Sequence, residues 1–201
     1  MKYLLPFSIA LILFVSCDDE KVEPVVSKSF TIKNLPADPG TGRDSVGNLI
    51  GDKKLFTFFR LSDSTVVSNS DSATTKWDIG FKGSTIILNG GTSGPGQTAG
   101  FFFNGIYNDL KEVPLDSIFK KDSAPNYVVN KSWYAYNPAA MTIAPVPGRF
   151  IVLKTTLGHY AKLEILSYYK NAPTSPNAFI DADRYYTFRY FYQGNGTTKF
   201  E

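Results

Sequence analysis

The sequence predicts an antiparallel all-β fold, a sandwich or a partly open barrel of about ten or more short strands with one or two short helical turns. Three observations predict it. Aromatic residues reach 15%, with 16 Phe and 12 Tyr, the side chains that favour a pleated, half-buried surface. Sixteen Gly and 12 Pro are spread along the chain and punctuate it into short segments. Apolar residues recur with period two in several of those segments, the alternation of a strand with one buried face.

Each element follows in turn. Phe30 and Ile32 alternate with Thr31 and Lys33, so Ser29 to Asn34 reads as a strand. Pro36 to Asn48 reads as a loop. The Phe-rich run from Lys54 to Leu61 is a strand, and after the turn Asp63-Ser64 the chain resumes from Thr65 to Ser68. In Trp77-Asp78-Ile79-Gly80-Phe81 the period of two puts Trp77, Ile79 and Phe81 on one face. Thr85 to Leu88 is β-branched, Asn89 to Gly100 is a Gly-rich loop, and Ala99 to Phe103 is a strand again.

Asn108 to Phe119 is the one stretch with helical character, with Asn108 as a cap and Pro114 as an interruption. Trp133 to Tyr136 is an aromatic strand, and Asn137 to Gly148 is the loop behind it. Arg149 to Thr155 and Tyr160 to Tyr169 form a hairpin about the turn at Gly158-His159. The last strand, Tyr185 to Tyr192, alternates Tyr186, Phe188, Tyr190 and Tyr192 against Tyr185, Thr187, Arg189 and Phe191. The tail from Gln193 is polar and reads as frayed.

Composition excludes several kinds of chemistry. A formal charge of +3 without any dense basic run does not provide a nucleic-acid surface. One His and one Cys cannot build a Cys/His zinc site, and a nucleophilic triad would have to rest on His159 alone, at a hairpin tip. No convincing acid–base or nucleophilic set can be assembled, so no enzyme is expected. The loop Asn89 to Gly96 has the glycines of a phosphate cradle without its Lys or its following helix, and reads as a strand connection.

The N-terminus reads as an address. Lys2 precedes an apolar run from Leu4 to Val15, the length of a signal-peptide core. Ser16-Cys17 follows, and then Asp18-Asp19-Glu20. A small residue before Cys after such a run is the pattern of a bacterial lipoprotein cleavage site. The expected organisation is a signal peptide over 1–16, a lipidated Cys17 with a flexible tether over 17–28, and a single all-β domain over 29–201.

Taken in order, several segments resemble the HmuY family of haem-binding bacterial outer-membrane lipoproteins. They are Thr75 to Phe81 with the Asn-Gly-Gly loop, Ser132 to Tyr136, Arg149 to Thr155, Gly158 to Leu163, Ser167-Tyr168-Tyr169 and Tyr186 to Tyr190. The resemblance implies haem capture at the outer surface and delivery to a TonB-dependent receptor. It also implies two axial ligands to haem iron, His or Met, one in the segment before the Trp-Tyr strand and one in the loop after it. Met141 falls in that second loop. The first segment, roughly Asn104 to Asn130, has no His and no Met, so Tyr107 or Tyr127 would substitute, or a single ligand would act with stacking.

The site expected from this reading is Met141 on the iron, Tyr134 and Tyr136 offering ring faces, and Tyr127 and Tyr107 as further contacts, with haem as cofactor. The alternative is a protein of the same fold that takes another small apolar ligand or a partner protein. Either way the expected location is the outer membrane, held by the lipid anchor alone and facing the cell exterior.

Overall fold

The computed structural model describes residues 27–201, so the expected signal peptide and the expected lipid site Cys17 lie outside the described residues. Thirteen strands run in chain order. The first seven are β1 (Lys28–Pro36), β2 (Gly42–Arg43), β3 (Leu49–Ile50), β4 (Thr57–Arg60), β5 (Thr65–Val67), β6 (Ile79–Lys82) and β7 (Thr85–Leu88). The rest are β8 (Ala99–Asn104), β9 (Tyr134–Asn137), β10 (Thr142–Pro145), β11 (Arg149–Lys154), β12 (Tyr160–Tyr169) and β13 (Asp183–Gln193). They form a five-stranded sheet in the order β1-β13-β12-β11-β8 and a four-stranded sheet in the order β5-β4-β6-β7. Two small hairpins, β2-β3 and β9-β10, complete the set, and every strand pairing is antiparallel. The described residues form no closed barrel; the two larger sheets pack as a sandwich.

The alternation foreseen for the last strand holds. Tyr186, Phe188, Tyr190 and Tyr192 of β13 are all buried and face Phe59, Phe81 and their neighbours on the other sheet. Phe81 stacks on Phe188 at 5.5 Å, and Phe59 meets the same ring edge-on at 5.6 Å. Two tyrosines reach across the sandwich. Tyr190 donates its hydroxyl to the Leu61 carbonyl and Tyr186 to the Gly83 carbonyl, each at 2.9 Å. A phenol can enter this core because its polar end finds a backbone acceptor on the facing sheet.

On β11, Ile151 and Leu153 belong to that core, whereas Phe150 and Val152 belong to a second cluster. Adjacent strand residues point to opposite faces, so the second cluster lies on the outer face of the five-stranded sheet. Residues 107–113 and the C-terminal tail cover it. This corrects two expectations. Asn108 to Phe119 is not helical. Its turns are isolated, and Val113 donates instead to the Thr198 carbonyl at 3.0 Å. Nor is the tail frayed: Phe200 is buried, and its N–H donates to the Lys111 carbonyl at 2.7 Å. Each segment supplies the backbone partners the other lacks. The one helical turn among the described residues is a 3-10 turn at Asn69–Asp71. The loop after the Trp-Tyr strand also contains an unforeseen strand, β10, which turns it into a hairpin.

Trp77 is completely buried, but not beside Ile79 and Phe81. It precedes β6 and turns to the other face of the four-stranded sheet, where it packs with Phe58, Val67 and Ile87. Buried polar side chains fix the connections around it. Asp78 accepts the N–H of Leu61 at 2.9 Å, and burial raises its carboxyl above the ordinary range. Asn89, fully buried, donates to the carbonyls of Thr74 and Trp77 and accepts the N–H of Gly96.

Candidate ligand-binding site

Three of the five residues expected at the haem site share one hairpin. β9 and β10 pair from Asn137↔Thr142 to Tyr134↔Pro145, leaving Pro138 to Met141 as the tip. Asn137 shapes that tip, its side-chain oxygen accepting the N–H groups of Ala139 at 3.0 Å and Ala140 at 3.2 Å. Met141 closes it in the left-handed region at φ +53°, a conformation that costs a non-glycine residue roughly 1–2 kcal/mol. Its side chain is 48% exposed, and Tyr136 is 57% exposed. A soft thioether and an aromatic ring are therefore both open to solvent on one small element.

The base of this hairpin is held firmly. Trp133 is buried and donates its indole N–H to the Ser84 carbonyl at 2.9 Å. Tyr134 packs edge-on against Trp133 at 4.9 Å and is half-buried on the main core. The Ile143 N–H donates to the Tyr169 hydroxyl at 3.0 Å. Arg149 adds a brace that the sequence did not single out. It donates to the Ser132 carbonyl at 2.9 Å and to Asn104 at 3.2 Å, with its guanidinium 5.6 Å above the Phe102 ring.

Tyr127 stands elsewhere. It lies on the segment that follows Asp122, a buried carboxylate that accepts the N–H groups of Leu88 and Val128 and the Ser93 hydroxyl. Tyr127 lines two clefts. One, of about 880 Å³, lies between β8 and residues 116–121 and is lined by Phe102, Ile118 and Val128. The other, of about 660 Å³, opens on Phe58 and Ile87 of the four-stranded sheet. Both are within the size range of small-molecule sites. Neither is lined by a residue of the β9-β10 hairpin.

Tyr107 must be removed from the expected site. It is buried in the second cluster, on the outer face of the five-stranded sheet, whereas the hairpin packs on the sandwich core. Its hydroxyl donates to the Lys162 carbonyl at 3.1 Å, and its ring lies under Arg189 and Lys162 at 4.3 and 4.5 Å. Burial raises its pKa well above the usual phenol value. A phenol must lose its proton to bind iron, and this one is held protonated and covered.

The fit to a haem is therefore that of one soft donor with an adjacent exposed ring, and not of two facing donors. Met141 suits haem iron as a thioether, and Tyr136 offers ring area to a flat apolar macrocycle. His159 belongs to the opposite end of the molecule. It sits at the β11-β12 turn with Nδ1 2.7 Å from the Tyr192 hydroxyl. The hairpin instead packs near Tyr169, which pairs with Asp183 at the other end of β13.

A family model described as "HmuY protein" matches residues 52–190. No curated protein matches the chain. Among solved structures, an apo HmuY analog from Tannerella forsythia is 16% identical, covers 84% of this chain and 96% of its own, and has a TM-score of 0.45. Apo PinO from Porphyromonas gingivitis is 16% identical, with coverages of 84% and 98% and a TM-score of 0.48. A Bacteroides vulgatus protein described as HmuY-like and heme-binding is 13% identical, with coverages of 82% and 90% and a TM-score of 0.48.

Proposed function

The chain belongs to the HmuY family, and from that premise we propose that it is a lipid-anchored surface protein that binds haem for iron acquisition and passes it to a TonB-dependent receptor. The observation that carries the reading is the β9-β10 hairpin, which presents Met141 and Tyr136 to solvent on a base fixed by Trp133 and Arg149. When bound, haem supplies the iron centre that is the cargo. The chain supplies a thioether donor, aromatic area and a rigid platform.

The strand directions support the same reading. β1 begins at Lys28 beside Tyr192 and ends at Pro36 beside Tyr185. A tether from Cys17 would enter at the Lys28 end. The hairpin packs near Tyr169 and Asp183, at the far end of the same sheet. Haem held there would face away from the anchoring membrane.

Haem titration of the mature chain tests the ligand. We expect a saturable change in the visible spectrum, stronger binding to ferrous than to ferric haem, and shifted Soret and Q bands in Met141→Ala, because a thioether prefers the softer iron. His159→Ala leaves the bands unchanged. Absence of any saturable change with either oxidation state rejects haem and favours the alternative, a different small apolar ligand or a partner protein. The burial of Tyr107 is what favours that second reading, since it removes one expected donor. The anchor has its own test. Cys17→Ala should abolish incorporation of labelled fatty acid and release the protein from the membrane fraction; a mutant that still takes up label and stays with the membrane rejects the lipid anchor.

A further inference from the structure

The outer face of the four-stranded sheet carries features that the haem reading does not use. Phe58 and Ile87 form its floor, with Gly80 packed between them. A Cβ added at Gly80 would lie 3.0 Å from Ile87 and 3.2 Å from Phe58, so the glycine keeps this floor low. The Gly-rich loop forms one wall. Gly94 lies against Trp77, where an added Cβ would sit 2.9 Å from the indole, and Pro95 and Tyr127 continue the wall. Phe56 and Ala73 line it as well. The result is the apolar cleft of about 660 Å³ described above.

At its β6-β7 end this cleft meets a second, smaller cavity of about 230 Å³, and Lys82 and Thr85 line both. Lys54, Lys131 and Arg184 surround the smaller cavity together with Asp38 and Asp52. Lys54 pairs with Asp52 at 2.5 Å, and Arg184 lies 3.6 Å from the same carboxylate and donates to the Asp38 backbone carbonyl at 2.9 Å. Lys82 and Lys131 enter none of the ion pairs among the described residues. Lys82 instead holds its ammonium 4.4 Å over the Phe56 ring, at the junction of the two cavities. With all six charged groups counted, cations exceed carboxylates at this end.

We propose that this groove binds an anionic amphiphile, a free single-chain carboxylate whose tail lies over Phe58, Gly80 and Ile87 and whose head group meets Lys82 and Lys131. The inference does not rest on the haem reading. Charge complementarity selects the class: an apolar floor ends in unpaired cations, the arrangement that fits a hydrocarbon with one negative end. An added peptide strand is disfavoured because the edge of β7 is already occupied. Ile86 exchanges backbone hydrogen bonds with Asn130, and the Leu88 N–H donates to Asp122. No His, Met or Cys lines either cavity, so neither offers the nitrogen or sulfur donors that commonly hold haem iron.

Trp77 supplies the readout, since its ring lies 4.4 Å from Phe58 beneath the groove. The mature protein is titrated with monomeric dodecanoate while tryptophan emission is followed, and stoichiometry is measured by calorimetry. We expect saturable binding of one ligand, with a spectral change that Trp133→Phe retains. Lys82→Glu should weaken affinity by about tenfold or more, equivalent to ~1.4 kcal/mol, and Lys82→Arg should restore most of it. Ala73→Trp, a substitution at an exposed wall position, should block binding without loss of folding, and Met141→Ala should leave it intact. The proposal is overturned if dodecanol binds as tightly as dodecanoate or if Lys82→Glu has no effect. It is also overturned if haem displaces dodecanoate competitively, which would make the groove the haem site. Sedimentation with phosphatidylglycerol vesicles but no binding of monomeric dodecanoate overturns it as well, in favour of a membrane-surface contact. Failure of haem to bind anywhere, with dodecanoate binding retained, leaves the groove standing and removes only the haem reading.

Discussion

Trp77→Ala should destabilise the protein by roughly 3–5 kcal/mol, the cost of deleting a large buried aromatic. Trp77 has no exposed surface, packs 4.4 Å from Phe58 and donates its indole N–H to the Ser72 carbonyl at 2.9 Å. Its own carbonyl accepts from Asn89, and Gly94 of the Gly-rich loop lies on its ring. The truncation therefore opens a cavity, orphans a carbonyl and undercuts the loop that Asn89 organises. Trp77→Phe keeps most of the packing and should cost about 1–2 kcal/mol, chiefly from the lost hydrogen bond and residual void. Val66→Ala, at a position 55% exposed on β5, is the control and should stay within about 0.5 kcal/mol. Urea unfolding measures all three. A loss below about 1 kcal/mol for Trp77→Ala would show that the loop and the outer face do not depend on this ring.

The second large effect is expected at alkaline pH. Burial raises the phenols of Tyr107, Tyr168, Tyr169, Tyr186 and Tyr190 above 10 and pushes Tyr192 to about 12. The folded chain thus keeps protons that the unfolded chain releases near pH 10. The stability these tyrosines contribute is fully present below pH 10 and is lost as pH rises through their folded values. Geometry explains the steepness expected. The hydroxyls of Tyr107, Tyr186 and Tyr190 donate to carbonyl oxygens, so ionisation would set an oxyanion against an acceptor.

Lys162 works in the opposite direction at lower pH. It is buried, and its ammonium donates to the carbonyls of Tyr107 and Leu110 at 2.8 and 2.7 Å. Burial lowers its pKa to about 8, with repulsion from Lys111 and Arg189 adding to the effect. Its folded pKa lies below the unfolded value, so the unfolded chain holds more protons from pH 8 to above 10, and stability rises with pH across that window. The rise is on the order of 1–2 kcal/mol by pH 10. Stability should therefore climb from pH 8, pass a maximum near the ordinary tyrosine pKa and then fall cooperatively. Chemical denaturation at stepped pH, with tyrosinate absorbance at each step, measures the curve. Lys162→Met should flatten the rising limb and leave the falling limb in place. A curve that falls steadily from pH 8 would contradict the burial of Lys162, and tyrosinate absorbance appearing at pH 10 without unfolding would contradict that of the phenols.

The period of two in the sequence determined which face of β13 enters the core, because alternation along a strand is a local property that backbone geometry imposes. It placed Tyr186, Phe188, Tyr190 and Tyr192 correctly for this reason. The same local rule misassigned the face of Trp77, since the alternation begins only at Ile79, where β6 starts. The ordered motifs that resemble the HmuY family were equally legible, being contiguous segments. What only the tertiary structure decided depends on contacts far apart in the chain. The segment 107–113 and the C-terminal tail acquire order by bonding to each other over the outer face of the sheet, and this buries Tyr107 and Lys162. No local pattern encodes that burial, so Tyr107 looked available as a ligand when its hydroxyl is spent on a backbone carbonyl. The groove beside Lys82 is likewise assembled from β4, β6, β7, the Gly-rich loop and Tyr127. The sequence contains each wall, but only the fold brings them to one place.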